Sequence, residues 1–589
     1  MVIIGALVIG AGMAFVHSPF FRYSTDGEYP TPHIQQVIWP TIGYPAMVVS
    51  GEVLEVEVDL REEGETGTQP VDVSEWRAEI LPVRDELSGL SYGLEYRLSW
   101  LEPSNRWPYL GREDIDDSIW HVEFEVPEGV PPELYDLSME AVMSGDMVSD
   151  TQPHAVAVTE NDDNDFTFIT LADIHVHELD NSSLFKAQTD KGIAEDGEPL
   201  FFKEAISQVN LIKPDFVLML GDYVRGQRRP GELEMEYQRF YQALLELEVP
   251  AFLLPGNHDQ FINEIDGARF FEQNLGPLYY SFDVGDCHFS CINSYQWPED
   301  DRIVMNKLVY MEPRKWQGQV LGAEDELDPS TYTGELAWLE EDLASHGHAP
   351  LKIMAMHHDP YTPDGEAFSW QNPSFYVFFH IGAGGGEGRE ALLDLASSNQ
   401  VDMVLGGHRH EDDRGAASWK EGGGETTYAC QTCVYFAEGG KDERYPGYRL
   451  IEVDDGEVSG FTYLDDVHSY PFYDGSVLEG DTDLDNLDRP ALWAELAEAS
   501  RLEAWTLSWE VGSYLGEEIM VRGLVAPAPL ADEGRYEIEG GEAYRIIPLP
   551  DRPGWALLYL AAVAEAGVPG EAADTPGVPS MTNVYVHGN

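Results

Sequence analysis

The sequence predicts a layered α/β core with a β-rich segment on either side. Three observations carry this. From Phe166 to about residue 465, short apolar strands alternate with helical patterns, as in a sheet covered by helices. Residues 30–160 hold alternating strands broken by turn signals, with almost no helical period. Residues 491–589 again show strand patterns. A chain of 589 residues exceeds one ordinary core, and 43% hydrophobic and 11% aromatic residues supply enough apolar surface to exclude global disorder.

Met1 to Val16 is uncharged and almost wholly apolar or glycine. It is short for a spanning helix and reads, within residues 1–18, as the apolar core of an export signal that lacks its positive start. The alternative is a hydrophobic segment packed on the protein. In the 30–160 segment, Val48 to Leu60, Ile119 to Val126, Tyr135 to Val142 and Ala155 to Val158 read as strands of an immunoglobulin-like or fibronectin-like sandwich. Glu160 to Asp165 (ENDDND) reads as a linker.

In the core, strands are predicted at Phe166–Ala172, Asp215–Leu220, Ala251–Leu254, Lys352–Met356 and Val401–Leu405. Helices are predicted at Phe201–Ile212, Glu232–Leu247, after Gly334, and at Arg389–Ala396. Tyr448–Val453 and Val458–Tyr463 form a hairpin around Asp454-Asp455-Gly456. Two loop-rich inserts, 296–333 and 361–388, are expected to roof the site. Asp481, Asp483, Asp485 and Asn486 imitate the start of a calcium loop, but the sixth-position Gly is missing and Leu492 stands where the twelfth-position Glu belongs. Trp505–Trp509 and Tyr544–Ile547 are strands of the C-terminal β-rich domain.

Charge is the extreme feature, with 107 acidic against 34 basic residues and a net −73. Only nine of the basic residues are lysine, all between Lys186 and Lys441. This excludes nucleic-acid or anionic-membrane binding through bulk charge, since both need a cationic surface; Arg228 and Arg229 are one local exception. The balance reads as adaptation to high salt, against a plainly acidic secreted protein. The four cysteines, Cys287, Cys291, Cys430 and Cys433, cannot staple such a chain. The alternating stretch Phe282–Ile292 puts positions 287, 289 and 291 on one strand face, which argues against a zinc site there. Buried thiols, or one or two local disulfides, remain.

The chemistry lies in five segments that each follow a predicted strand, where an open α/β sheet places ligands. They are Asp173-Ile174-His175, Gly221-Asp222-Tyr223, Gly256-Asn257-His258-Asp259, His357-His358-Asp359-Pro360 and Gly406-Gly407-His408-Arg409-His410. Their oxygen and imidazole donors suit Mn, Fe or Zn. Each has a plainer reading: Asp173 and Asp222 as helix caps, the glycines as turn residues, His177 and His358 as supporting histidines, Arg225 and Arg409 as surface ion pairs.

Together and in this order, over roughly 166–465, these segments resemble the calcineurin-like metallophosphoesterase superfamily, nearer its phosphodiesterase than its purple acid phosphatase branch. The resemblance implies a four-layer sandwich, two mixed β-sheets flanked by helices, and two divalent or trivalent metal ions. One ion takes Asp173, His175, Asp222 and His410; the other takes Asp222, Asn257, His357 and His408. Asp222 and a hydroxide bridge them, the hydroxide attacks phosphorus, and His258 protonates the leaving group. Asp259 orients His258. The preference for His357 over His358 follows the family's H-x-P order.

Departures narrow the reading. Gly221 to Gly226 (GDYVRG) is close to a protein-phosphatase form, but Asp259-Gln260 follows His258 in place of Glu and Arg. The tyrosine ligand of purple acid phosphatases would fall at position 225, where Arg225 stands. A 5′-nucleotidase is disfavoured by the β-rich end. The expected function is hydrolysis of small phosphoesters, as a phosphodiesterase of broad specificity. The alternatives are a phosphomonoesterase, or a surface protein with a structural phosphoesterase core whose β-domains attach it to the cell surface.

The salt reading predicts a melting temperature that rises from dilute buffer to molar salt, measured by calorimetry on the full chain; a fall would discard it.

Overall fold

The computed structural model describes residues 32–60, 73–103, 118–160, 163–176, 199–226, 232–262, 265–297, 317–322, 332–361, 387–435, 445–474, 489–500, 505–530, 536–570 and 576–588. The Met1–Val16 segment, His177, the Arg228-Arg229 pair, Asp481 to Asn486 and most of both inserts lie outside these residues. Among the described residues no helix is long and apolar enough to cross a membrane.

The N-terminal strands are β1 (Val37–Trp39), β2 (Ala46–Val49), β3 (Val53–Val58), β4 (Val73–Pro82), β5 (Tyr92–Pro103), β6 (Ser118–Glu125), β7 (Leu134–Met143) and β8 (Asp146–Thr159). They share one hydrogen-bonded order, β1-β3-β6-β5-β4-β7-β8-β2. The single strand predicted over 48–60 is divided, because Gly51 takes a left-handed φ of 91° and turns the chain. Its halves join different partners: β2 runs parallel to β8, while β3 pairs with β1 and β6.

The core continues with β9 (Phe166–Leu171), α1 (Leu200–Ile212), β10 (Phe216–Met219), α2 (Glu232–Leu244), β11 (Ala251–Leu253), α3 (Asn257–Gln260) and α4 (Gly267–Asn274). Next come β12 (Tyr280–Val284), β13 (Cys287–Ile292), α5 (Gly334–Ser345), β14 (Lys352–His358), α6 (Arg389–Ser398), β15 (Met403–Gly407), β16 (Asp413–Ser418), β17 (Glu425–Cys430), β18 (Gly447–Asp454), β19 (Glu457–Gly460) and β20 (Tyr470–Pro471). Two six-stranded sheets result. One has the order β11-β10-β9-β18-β19, with β20 beside β18; the other is β12-β13-β14-β15-β17-β16. Strands β9, β10 and β11 are parallel, as are β13, β14, β15 and β17.

Strand alternation sorts the core side chains. Phe168, Phe216 and Phe252 of the first sheet meet Phe282 and Phe289 of the second; Phe252 and Phe282 stack with ring centres 3.7 Å apart. Each such buried ring stabilises the fold by about 1.5–3 kcal/mol. The intervening residues Ile169, Val217 and Leu253 face α1 and α2, while Met354, Met356 and Val404 face α5 and α6. The stretch predicted as one strand over 282–292 is a hairpin, bent at Gly285 with φ 56°. All four cysteines are free and buried, and Cys287 and Cys291 lie with Phe289 in the shared core.

The C-terminal segment is β21 (Leu492–Ser500), β22 (Trp505–Ser513), β23 (Ile519–Pro529), β24 (Glu537–Glu539), β25 (Glu542–Pro548), β26 (Trp555–Ala564) and β27 (Ser580–Gly588). It forms a four-stranded sheet, β21-β22-β27-β24, and a three-stranded one, β23-β26-β25. Trp509, Leu524, Leu558 and Leu560 share an apolar cluster with Val209 and Ile212 of α1.

All three parts meet at one ionic junction. The buried Glu133 lies 3.8 Å from Lys213 Nζ and 3.6 Å from Arg545 Nη1. Arg84 pairs with Glu248, and Arg545 Nη2 reaches Glu160 at 3.0 Å. The Tyr559 ring packs against all three cations, at 5.7 Å from Arg84, 5.4 Å from Lys213 and 5.2 Å from Arg545.

Glu133→Ala is expected to destabilise the chain by about 3–5 kcal/mol in urea unfolding, because it leaves the largely buried Lys213 ammonium without its carboxylate, while Arg84 and Arg545 keep Glu248 and Glu160. The exposed pair of Arg77 and Glu75 provides the control, with a loss of about 0–1 kcal/mol in Arg77→Ala. Equal losses would show that the junction is not a buried ion cluster.

Candidate metal centre

The two sheets place the C-terminal ends of their parallel strands side by side, and every predicted ligand follows such an end. Asp173 and His175 follow β9, Asp222 follows β10, Asn257 and His258 open α3 after β11, His357 lies at the end of β14, and His408 and His410 follow β15. Asp173, His175, Asp222, His408 and His410 all have left-handed backbones, with φ of 56°, 50°, 60°, 68° and 56°. For non-glycine residues this conformation costs on the order of 1–3 kcal/mol each, and it concentrates where surrounding structure enforces it for function.

Each carboxylate commits one oxygen to the backbone and turns the other inward. Asp173 Oδ2 accepts the His408 N–H at 2.8 Å, a bond between loops of the two sheets. Its Oδ1 faces His410 Nε2 at 3.0 Å and His175 Nε2 at 3.7 Å. Asp222 Oδ1 accepts the His258 N–H at 2.8 Å. Its Oδ2 faces His357 Nε2 at 3.2 Å, His175 Nε2 at 3.7 Å and His258 Nε2 at 3.9 Å. Asp222 therefore lies between two groups of donors. On one side His175 Nε2 and His410 Nε2 approach to 3.2 Å; on the other His357 Nε2 lies 3.1 Å from Asn257 Oδ1 and 3.2 Å from His408 Nδ1.

Second contacts set which ring atom points inward. His357 Nδ1 donates to the Leu220 carbonyl at 2.7 Å, which leaves Nε2 to face Asp222 and Asn257. His258 Nδ1 meets the Arg225 carbonyl, which aims Nε2 at Asp222. His358 Nδ1 bonds Ser294 Oγ at 2.9 Å. Its ring lies 4.3 Å from that of His408, and it belongs with His357 and His408 to a group whose donor atoms are within 4.8 Å of one another.

Asp259 orients something other than the expected ring. Its Oδ2 accepts the N–H of Asp222 and of Gly256, each at 2.8 Å, and its Oδ1 accepts that of Tyr223 at 3.0 Å. It thus clamps the two loops that carry Asp222 and His258, while the His258 ring is set by a carbonyl. Only glycine fits at 256, where a Cβ would fall 2.1 Å from Asp222 Oδ1. Tyr223 points into the core, its hydroxyl donating to the Leu254 carbonyl at 2.7 Å. Arg409 is engaged with Asp413 at 2.6 Å and Glu411 at 3.7 Å.

The charges fit metal cations. Burial pushes the His410 imidazole down, but Asp173 outweighs this and holds it well above its ordinary value. Burial likewise lowers His357, and Asp222 lifts it to about 9. Burial takes His175 well below its ordinary value and His408 to about 3. With protein groups alone, each carboxylate thus draws one proton onto a facing imidazole and leaves the other imidazole neutral. Ions held by the carboxylates and the imidazole lone pairs would supply the same positive charge. Among the described residues the buried Asn257 Nδ2 has no hydrogen-bond partner, as its side chain turns Oδ1 to the donor group instead.

The five segments brought all seven ligand candidates to one place. The carbonyls of Leu220 and Arg225 leave no mark in a residue pattern, and Ser294 stands 64 residues from His358 with nothing in its surroundings to single it out.

Residues 166–412 match the family model described as calcineurin-like phosphoesterase. No curated protein matches the chain. Among solved structures it is similar to a purple acid phosphatase isolated from yellow lupin (Lupinus luteus) seeds, at 13% identity and a TM-score of 0.36, covering 72% of this chain and 74% of that one. It is also similar to a family 123 glycoside hydrolase from Clostridium perfringens, at 10% identity and a TM-score of 0.13, covering 65% of this chain and 66% of that one. Both scores are too low to equate the whole chains.

Asp259→Ala removes the acceptor of three buried N–H groups without touching an inward-facing donor. It is expected to weaken metal retention about 10–100-fold against a chelator, as loss of an outer partner does. Unchanged retention would reject the clamp.

Proposed function

We propose that the chain, whose residues 166–412 match the calcineurin-like phosphoesterase family, is a dinuclear-metal phosphoester hydrolase, acting on diesters with broad specificity. The observation that carries the proposal is Asp222 Oδ2, which faces imidazoles of both donor groups. Asp173, His175, Asp222 and His410 would hold one ion, and Asp222, Asn257, His357 and His408 the other. Bound there, two ions supply Lewis acidity toward phosphoryl oxygens and a nucleophile of lowered pKa. The helices on the outer faces of the two packed sheets support a four-layer arrangement for this core. For the N-terminal segment we retain the immunoglobulin-like reading on its strand content.

His258 is the proton carrier. Its Nδ1 proton is held by the Arg225 carbonyl, so Nε2 stays turned toward Asp222; a second proton taken up at Nε2 makes the imidazolium, which would pass that proton to the departing oxygen. His357 cannot share this role, because its Nε2 is occupied with Asp222 and Asn257. Asp259 keeps the loops of Asp222 and His258 in register through the backbone.

The diester preference has its own support. Arg409, one of two arginines beside the donor segments, is already neutralised by Asp413 and Glu411, which leaves less side-chain charge for the extra anionic oxygen of a monoester. A chain of net charge −73 also repels a dianion more strongly than a monoanion. Export to a saline exterior is part of the proposal and rests on the acidic composition and the apolar start.

Metal-loaded protein is expected to hydrolyse p-nitrophenyl diesters faster than the monoester, and faster at molar than at low salt. Hydrolysis of neither class with Mn, Fe or Zn would overturn the proposal. Asp222→Asn should lower metal content and turnover together. His258→Ala should keep its metal and slow esters with poor leaving groups about 10²–10⁴-fold, sparing good ones; equal slowing of both would remove His258 from the acid role.

A further inference from the structure

The two arginines beside the donor segments differ in their partners. Arg409 is taken up by Asp413 and Glu411. Arg225 makes no ion pair with any described residue, in a chain where acidic residues outnumber basic ones by 107 to 34. A guanidinium keeps its charge at every working pH, so one without a carboxylate beside it is available to an anion.

The backbone fixes where Arg225 stands. Its N–H donates to the Val176 carbonyl at 3.0 Å, and its own carbonyl accepts the Nδ1 proton of His258. The residue therefore lies behind the His258 ring, on the side away from Nε2 and Asp222. Tyr435 closes the other flank. Its N–H donates to the Asp173 carbonyl at 3.1 Å, and its ring meets that of His175 edge-on, with centres 5.8 Å apart. The His175 and His258 rings meet edge-on in turn, at 4.6 Å. Burial raises the Tyr435 hydroxyl above its ordinary pKa and the Arg225 charge offsets part of that rise, so the guanidinium lies within electrostatic reach of the hydroxyl. Arg225 and Tyr435 are both half-buried, whereas Asp173, Asp222 and His357 are buried.

We propose that Arg225 and Tyr435 form a subsite for an anionic group carried by the alcohol that leaves, so that the preferred diester has a leaving group bearing a second negative charge. The proposal rests on the phosphoester-hydrolase reading above. His258 Nε2 marks where the leaving oxygen departs, and Arg225 stands on the far side of that ring, beyond the reacting phosphoryl group. The planar fork of arginine matches a carboxylate or phosphate with two parallel hydrogen bonds, and the Tyr435 ring offers apolar surface to the body of the alcohol. A chain of net charge −73 repels such a substrate at a distance, which makes a local unpaired cation the group that would hold it.

The test uses the full metal-loaded chain at low salt, with methyl phosphodiesters of 4-hydroxybenzoate and of 4-hydroxybenzamide. The two leaving phenols match in size and differ in charge. In Arg225→Gln the ratio of kcat/KM, carboxylate over carboxamide, is expected to fall about 10-fold, and Arg225→Lys should recover part of it. Metal content equal to that of the wild type shows that the variants have folded. An unchanged ratio overturns the subsite, whether or not both esters slow together. Should the wild type hydrolyse neither ester, the hydrolase reading fails, and binding of 4-hydroxybenzoate followed by NMR still decides the subsite. A Kd about 10-fold weaker in Arg225→Gln supports it, and an equal Kd overturns it.

Discussion

Asp222 is the constraint on which the site depends. One carboxylate has to serve a backbone N–H on its own sheet and imidazoles that arrive from both sheets. Its Oδ1 is fixed by the His258 amide, so Oδ2 has one direction left, toward His357 and His175. Asp173 repeats the pattern across the sheet boundary, with Oδ2 on the His408 amide and Oδ1 toward His410. The two sheets are joined at this end by buried negative charge, and buried charge is tolerated only beside a compensating cation. The same arrangement that closes the top of the core therefore creates a demand for positive charge, which imidazolium or a metal ion can meet.

Meeting that demand needs backbone shapes that the side chains do not favour. Five ligand candidates sit in the left-handed region. They hold there because neighbouring amides and carbonyls are already committed: Asp173 N–H donates to the Gly221 carbonyl at 3.0 Å, His175 N–H to the Asp222 carbonyl at 2.9 Å, and Asp259 takes the amides of Asp222, Tyr223 and Gly256. Below these loops, the phenylalanines between the sheets give the strand ends a rigid base. Local strain at the ligands is thus compensated by packing several residues away.

Much of this was legible in the residues. Strand and helix periods located the core elements within a few residues, and the five polar segments at strand ends located the donors. Two strands were read too long, over 48–60 and 282–292, because the turn glycines Gly51 and Gly285 sit inside unbroken alternation. Strands β16 and β17 went unread: Asp413–Ser418 is small and half-exposed, and its register exists only through β17. The role of Asp259 also escaped, since its partners are three amides from two loops. Sequence patterns display side-chain chemistry and period; they carry little about backbone partners brought together by folding.

The interior use of cations bears on the net charge. Basic residues are few, and several of them are not on the surface. Arg449 is fully buried against Asp412, and Lys352 is 5% exposed. The Lys213, Arg84 and Arg545 side chains at the three-part junction are 12%, 11% and 16% exposed. Carboxylates such as Asp173, Asp222, Asp259 and Glu133 are buried as well, so the solvent-facing shell keeps the strong acidic excess of the whole sequence. Salt screens that shell strongly and the buried pairs weakly. High ionic strength can then relieve repulsion at the surface without loosening the ionic contacts that join the three parts or the carboxylate–imidazole contacts of the centre. An acidic surface and a fold clamped from inside by scarce cations are two consequences of one distribution of charge.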